Sequence, residues 1–510
     1  MRGSIILLFI AIFAVLLSAS TPAGAQSPIT CRVTNISSQN RTLAITCAIS
    51  TPPAGRISLR FLNQFASVDR MSERIVGLKV RDAAGAALQL EIRGNGLYAF
   101  DSRDRPAPIV FSYEVRLARA LEPGQYALTS SLGPEAAFLF AADIFPDLNL
   151  AAVGTEGASL SGTLRVEISP PEGWQVATTE PGEGGLFDVS DPKRAVFFLG
   201  RLRVRTLEIG QSGRMRLRVA VTGAWDFTDE QIASLCELLA RSQATTVDGH
   251  EEGNFLVTLA PFPLPLTGLR SAALARGRTV VLMLNPGSDR ARTLQHFQRH
   301  LAHEMFHFYL PNAFRIRENF DWFWEGFTRY VALVTLAETR TITLDDFLAA
   351  LGEEYDAYSV NPLRGNTSLV SASPEKFSSG ASYEIVYRKG MLVAALYDLE
   401  LRWQSRSKRR LSEIIRTLYQ NYARTGREVG NREVLDELRG AGNFSAFLSD
   451  YVEGVREIQL VEMLAPYGMV IDAGSAQRRP RLAAAPKLSE RQRELLEGLR
   501  TPVQSRERAN

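Results

Sequence analysis

Two periodicities divide this chain. From residue 26 to about 222, apolar positions come in short alternating or continuous runs, including Thr42–Ile49, Ile57–Leu62, Val110–Leu117, Thr163–Ile168, Ala195–Leu199 and Met215–Val221. Turn clusters separate them, such as Pro52-Pro53-Ala54-Gly55, Glu122-Pro123-Gly124 and Pro170-Pro171-Glu172-Gly173. Such spacing predicts β-strands packed as a sandwich-like module. Near Phe227 the pattern changes. Thr228-Asp229-Glu230 reads as a helix cap, followed by the stripe Ile232, Leu235, Cys236 and Leu239. Asn254–Leu259 and Thr279–Leu284 read as strands. From about Ala291 helical periodicity dominates, in Arg292–Leu310, Phe320–Leu336, Tyr383–Trp403, Leu411–Tyr422 and Phe444–Val452. The expected fold is multidomain α+β: an N-terminal β domain over 26–222, a mainly helical domain over 223–455, and an extension over 456–510. That extension, rich in Arg, Ala, Pro and Glu from Gly474, is expected to be partly disordered and loosely held, with one helix at Ser489–Leu499.

Length supports the division, because 510 residues exceed what one core organises. Residues 1–25 read as a cleavable signal peptide. Arg2 supplies the positive start, Ile5 to Leu17 the apolar stretch, and Ala23-Gly24-Ala25 the small residues before a cleavage point at Gln26. The mature chain is then expected to be secreted or periplasmic, without a membrane span. A net charge of only +3 gives no reason to invoke nucleic acid or an anionic membrane. In an exported protein, Cys31 and Cys47, flanking two expected strands, can close a hairpin disulfide. Cys236 lies on an apolar helical stripe and reads as a buried thiol.

The densest chemistry lies at His303-Glu304-Met305-Phe306-His307. His303 and His307 are four residues apart, so on a helix they project from one face and can grip one metal ion. Glu304 lies one step around the helix, beside the ion rather than on it, where a carboxylate acts as a base. Eighteen residues after His307, Glu325 sits in Trp322-Phe323-Trp324-Glu325-Gly326-Phe327. A second helix carrying it supplies a third ligand, a set suited to one zinc ion with an open position. Only five histidines occur in the chain, which argues against a chance pairing. Glu318 and Asp321 are rival ligands, but the aromatic neighbours bury Glu325, and a carboxylate there is costly without a cation. Gly326 would permit close approach at the metal. His296 and His300 lie on a similar helix face. Without an acidic cluster nearby they read as structural groups or groups supporting the ligands, with a second ion as the lesser reading.

These motifs resemble the glycyl aminopeptidase family of gluzincins, whose members often carry a PDZ domain. The resemblance rests on the His-Glu-Met-Phe-His run and on Glu318-Asn-Phe-Asp-Trp-Phe-Trp-Glu-Gly-Phe-Thr-Arg-Tyr330. It extends to Pro171-Glu-Gly-Trp174, Tyr387-Arg-Lys-Gly390 with the helix after it, and Leu460-Val-Glu-Met-Leu-Ala-Pro-Tyr-Gly468. It covers about residues 110–470. It implies a thermolysin-like zinc peptidase domain behind an N-terminal β domain, acting on peptides or proteins. It also implies that Tyr387 stabilises the oxyanion, with Tyr383 as runner-up. Two departures matter. The stretch after Gly468 is too short for a PDZ domain. Where the family carries Gly-Gly-Leu-Glu-His, with a glutamate that anchors a free amine, this chain reads Thr267-Gly268-Leu269-Arg270-Ser271. An arginine repels an ammonium and favours a carboxylate. Gly268 and Arg270 thus become candidate substrate-binding residues.

Three readings follow. The first is metal-assisted peptide hydrolysis by an aminopeptidase-like enzyme. The second, motivated by Arg270, is an endopeptidase or a peptidase reading a substrate carboxylate. The third is a non-catalytic zinc-containing peptide-binding protein. Glu304 weighs against the third, because a purely structural site has no use for a base beside its ligands.

Overall fold

The computed structural model describes residues 29–150, 164–210, 214–249, 251–472 and 481–502, with no side-chain description at 148–150. The expected signal peptide lies outside the described residues. Among those residues no helix is long and apolar enough to cross a membrane.

The N-terminal part is built from alternating strands, as their patterning demands. Ile29–Ser37 and Thr42–Ile49 pair antiparallel in a seven-stranded sheet, with Cys31 directly opposite Cys47. The two cysteines form a disulfide across 16 positions. In the chain-entropy model a loop of that length contributes about 3 kcal/mol. A four-stranded sheet contains Ala136–Phe140 beside Val196–Gly200, and both strands are buried on both faces. One face (Ala137, Leu139, Phe197, Leu199) closes the N-terminal core. The other (Phe138, Phe140, Val196, Phe198) packs on Ala220, Leu256, Ala272 and Met283 of a five-stranded sheet. An apolar layer therefore joins the two halves of the molecule.

That five-stranded sheet runs in the order Arg203–Ile209, Met215–Val221, Gly253–Leu259, Thr279–Asn285, Arg270–Arg276. Two of its strands come from the stretch assigned by pattern to the N-terminal domain. Met215–Val221 pairs in parallel with Gly253–Leu259 across the helix Asp229–Val247, so the expected boundary at 222 falls inside a βαβ crossover. The helix starts where the cap was expected: Thr228 accepts a bond from the Gln231 amide. Cys236 is buried within it. The edge strand Arg270–Arg276 was not foreseen. Its run of small residues lacks the β-branched signature, and only its antiparallel register with Thr279–Asn285 makes it a strand.

The other face of this sheet carries the histidine helix, Arg290–Phe306, capped by Asp289. A largely helical body follows, sharing one continuous core with the sheet. The described part of the C-terminal extension belongs to that body rather than hanging loosely. Leu482, Leu495, Leu496 and Leu499 are buried, and Glu490–Gly498 is a helix capped by Ser489.

Candidate metal centre and cleft

His303 occupies the last turn of the histidine helix and His307 its C-cap, still in helical conformation. The fit between them rests on the i, i+4 spacing and on support from behind, where buried Gln243 donates to the Ala302 carbonyl. His307 Nδ1 lies 2.7 Å from the Leu310 carbonyl. That bond places the ring proton on Nδ1 and leaves Nε2 free to ligate. His303 Nδ1 is buried with no hydrogen-bond partner among the described residues.

Glu325 reaches the pair from a π-helical turn, Trp322–Phe327, that runs into the helix Thr328–Glu338. Such turns re-aim side chains and concentrate at functional sites. Its Oε2 lies 3.4 Å from His303 Nε2 and 3.4 Å from His307 Nε2, and the two Nε2 atoms are 3.1 Å apart. Zinc–ligand bonds of about 2.0–2.1 Å in a tetrahedron put ligand atoms about 3.3 Å apart. Among the described residues this is the one group of three or more His, Cys, Asp or Glu side chains converging in this way. The donor set fits zinc.

The rival acids are engaged elsewhere. Glu318 accepts from the Asn431 amide. Asp321 lies 2.5 Å from Lys376 Nζ, and the same ammonium is 2.9 Å from Glu325 Oε1. Lys376 is thus the buried cation that the aromatic setting of Glu325 demanded, and it engages one carboxylate oxygen while the other faces the histidines. Proximity to Glu325 and Asp321 pushes its pKa up against the opposing effect of burial. No local sequence signal marked this residue; a lone lysine 51 positions from its partner has no periodicity to betray it.

Gly326 does permit a close approach, but to another helix rather than to the metal. A Cβ there would lie 2.5 Å from Gly390 Cα, and a Cβ on Gly390 would lie 2.9 Å from Gly326 Cα. This backbone contact fixes the Glu325 segment against the π-helical turn Ile385–Lys389, which carries Tyr387. Tyr387 lies with its ring centroid 6.2 Å from that of His303, and stacks on Tyr383 at 4.3 Å. Burial, with Glu325 and Tyr383 nearby, raises the Tyr387 pKa, so it stays a protonated donor. Tyr383 is the more exposed of the two.

Glu304 is buried, and its carboxyl lies by the backbone of Ala275 on the edge strand. Burial pushes its pKa up to about 7. These side chains line a cleft of about 950 Å³. One wall is the edge strand from Ser271 to Leu274, and part of the rest comes from the N-terminal region, through Phe65–Ser67 and Glu122–Leu128. Gly268 and Arg270 are not in this lining. Arg270 begins the edge strand on the exposed surface, where its guanidinium bonds the Leu269 carbonyl. Arg270 thus stands one residue before Ser271, where the lining begins, and the two residues expected to bind substrate border the cleft rather than line it. The phrase resemblance was local, whereas the register of the strand puts the cleft wall one residue further on.

No family model matches the chain, and no curated protein matches it. Solved structures do. An aminopeptidase N family protein from Idiomarina loihiensis superposes with a TM-score of 0.74 at 17% identity, covering 91% of this chain and 82% of that one. The M1 zinc metallopeptidase from Deinococcus radiodurans gives 0.51 at 16%, covering 85% and 94%. A variant of the latter bound to a Tyr-Ser-Ala substrate gives 0.52 at 15%, covering 84% and 94%. At these identities the likeness concerns architecture: the chain has the fold of the M1 zinc metallopeptidases, a sheet-rich N-terminal part followed by a helical one.

Proposed function

We propose that this chain is an exported zinc metallopeptidase that hydrolyses peptide bonds in short peptides, with an aminopeptidase-like mode of action. The observation that carries the reading is the convergence of His303, His307 and Glu325 at the foot of a cleft, with Glu304 beside them. The sequence phrases support placing it near the glycyl aminopeptidases, and the Cys31–Cys47 bridge supports export. When bound, zinc supplies Lewis-acid polarisation of the scissile carbonyl and lowers the pKa of water.

The protein's own groups do the rest. Glu304 accepts a proton from the attacking water and delivers it to the leaving amine. Its burial raises the proton affinity of the carboxylate, which suits taking a proton from water. Tyr387 donates to the oxygen that becomes negative in the tetrahedral intermediate. The edge strand, unpaired along its outer side, offers backbone groups to an extended peptide. The Phe65–Ser67 and Glu122–Leu128 segments add a wall from the N-terminal part, against which a bound peptide would rest. With Arg270 outside the cleft lining, a carboxylate-reading mode would have to rest on Arg299, Arg329 or Arg388, which line it but are already paired with Glu353 and Glu354.

A panel of free and N-acetylated peptides tests the reading with the zinc-loaded protein. Cleavage one residue from a free N-terminus, lost on acetylation and on chelation, is expected. Equal cleavage of acetylated peptides at internal bonds would replace the aminopeptidase mode by an endopeptidase one.

A further inference from the structure

The histidine helix carries a second imidazole pair that the hydrolytic reading leaves unused. His296 and His300 repeat the i, i+4 spacing of His303 and His307 on the same helix and line the same cleft. Their ring centroids are 4.2 Å apart, against 4.6 Å for the His303–His307 pair. His300 Nδ1 lies 2.9 Å from the His296 carbonyl, which puts the proton on Nδ1 and a lone pair on Nε2. The Nε2 atoms of both rings face one point: Ser271 Oγ on the edge strand is 2.7 Å from that of His296 and 3.4 Å from that of His300. Both nitrogens thus meet at the Ser271 hydroxyl, where a transition metal would exchange the His296–Ser271 hydrogen bond for coordination by two imidazoles.

The surroundings favour the same ligand class. Burial holds both rings uncharged, with pKa values of about 3 for His296 and about 4 for His300, so no proton need leave when a metal binds near neutrality. The nearby acids are already paired. Glu354 accepts from Arg329 at 2.7 Å and from Arg388 at 2.8 Å, and Glu353 accepts from Arg299 at 2.9 Å. With no free carboxylate among these, hard cations such as magnesium or calcium gain nothing, whereas zinc and nickel suit imidazole.

We propose that His296 and His300, with Ser271 Oγ as a weak third donor, form a second, lower-affinity transition-metal site in the cleft wall, and that zinc in excess of one equivalent obstructs the peptide path by filling it. The site itself stands on its own geometry; the obstruction rests on the peptidase reading.

The experiment is a calorimetric titration of protein already holding one equivalent of zinc. Further Zn2+, and separately Ni2+ and Mg2+, is added to wild type, His296→Gln, His300→Gln and Ser271→Ala. Wild type should show a second, weaker event with zinc and nickel but none with magnesium. Either histidine variant should weaken it roughly tenfold or more, while Ser271→Ala keeps it. No second event in wild type, or an unchanged one in both histidine variants, overturns the site. Peptide cleavage is followed in the same samples. Cleavage by wild type should fall as the second ion binds. A second ion that binds without slowing cleavage rejects the obstruction and leaves the site. A protein that binds both ions and cleaves nothing rejects the peptidase reading instead.

Discussion

Replacing Lys376 by Met removes the cation shared by two buried carboxylates while keeping a side chain of similar length. The ammonium lies 2.5 Å from Asp321 and 2.9 Å from Glu325, with its side chain only 7% exposed. At an effective dielectric of about 20, each contact is worth roughly 6 kcal/mol of attraction. Desolvation of the three groups offsets much of this, and breaking a buried pair costs about 3–5 kcal/mol because a charge is left uncompensated. That full loss is expected only in the metal-free protein. When zinc is bound, Glu325 again faces a cation, so the difference between variant and wild type should narrow by at least about 1 kcal/mol. Urea unfolding, followed by the fluorescence of Trp322 and Trp324 beside Glu325, measures both states, with chelator and with one equivalent of zinc. An equal loss in the two states would refute the linkage between Lys376 and the metal ligand. A loss below about 1 kcal/mol in the metal-free state would refute the buried-pair argument itself.

Three further outcomes follow from the same geometry. Gly326→Ala should destabilise by about 3 kcal/mol or more and weaken zinc retention, because its Cβ would meet Gly390 backbone at 2.5 Å. Gly352→Ala is the control, since its nearest neighbour is Leu482 Cβ at 3.5 Å, and thermal melts should show it neutral or slightly stabilised. Tyr387→Phe should lower kcat about 10²–10³-fold with bound zinc unchanged by metal analysis; unaltered turnover would remove its oxyanion role.

The parts of this site legible in the sequence are those set by local spacing. His303, Glu304 and His307 needed only a helix, and the aromatic run around Glu325 announced its burial. What stayed hidden depends on tertiary register. Lys376 meets Glu325 from a loop far along the chain. The edge strand, Ser271-Ala272-Ala273-Leu274-Ala275, is too rich in small residues to read as a strand, and the local phrase resemblance points instead to Gly268 and Arg270, just before it. Gly326 was recognised as a point of close approach, but its partner Gly390 appears only once two helices cross. The crossover that spans the expected boundary at 222 stayed hidden for a similar reason: Met215–Val221 looks like any other strand until its parallel partner is known. Strand patterning in the N-terminal half survived well, because a half-buried strand writes its alternation directly into the residues.

The central claim, hydrolysis driven by Glu304 beside a zinc held by His303, His307 and Glu325, is tested most directly with Glu304→Gln. Zinc content by metal analysis and cleavage of a mixed peptide library are measured on the same samples of variant and wild type. The account predicts equal zinc and cleavage lowered about 10²–10⁴-fold. Wild-type cleavage by the zinc-loaded variant would contradict it.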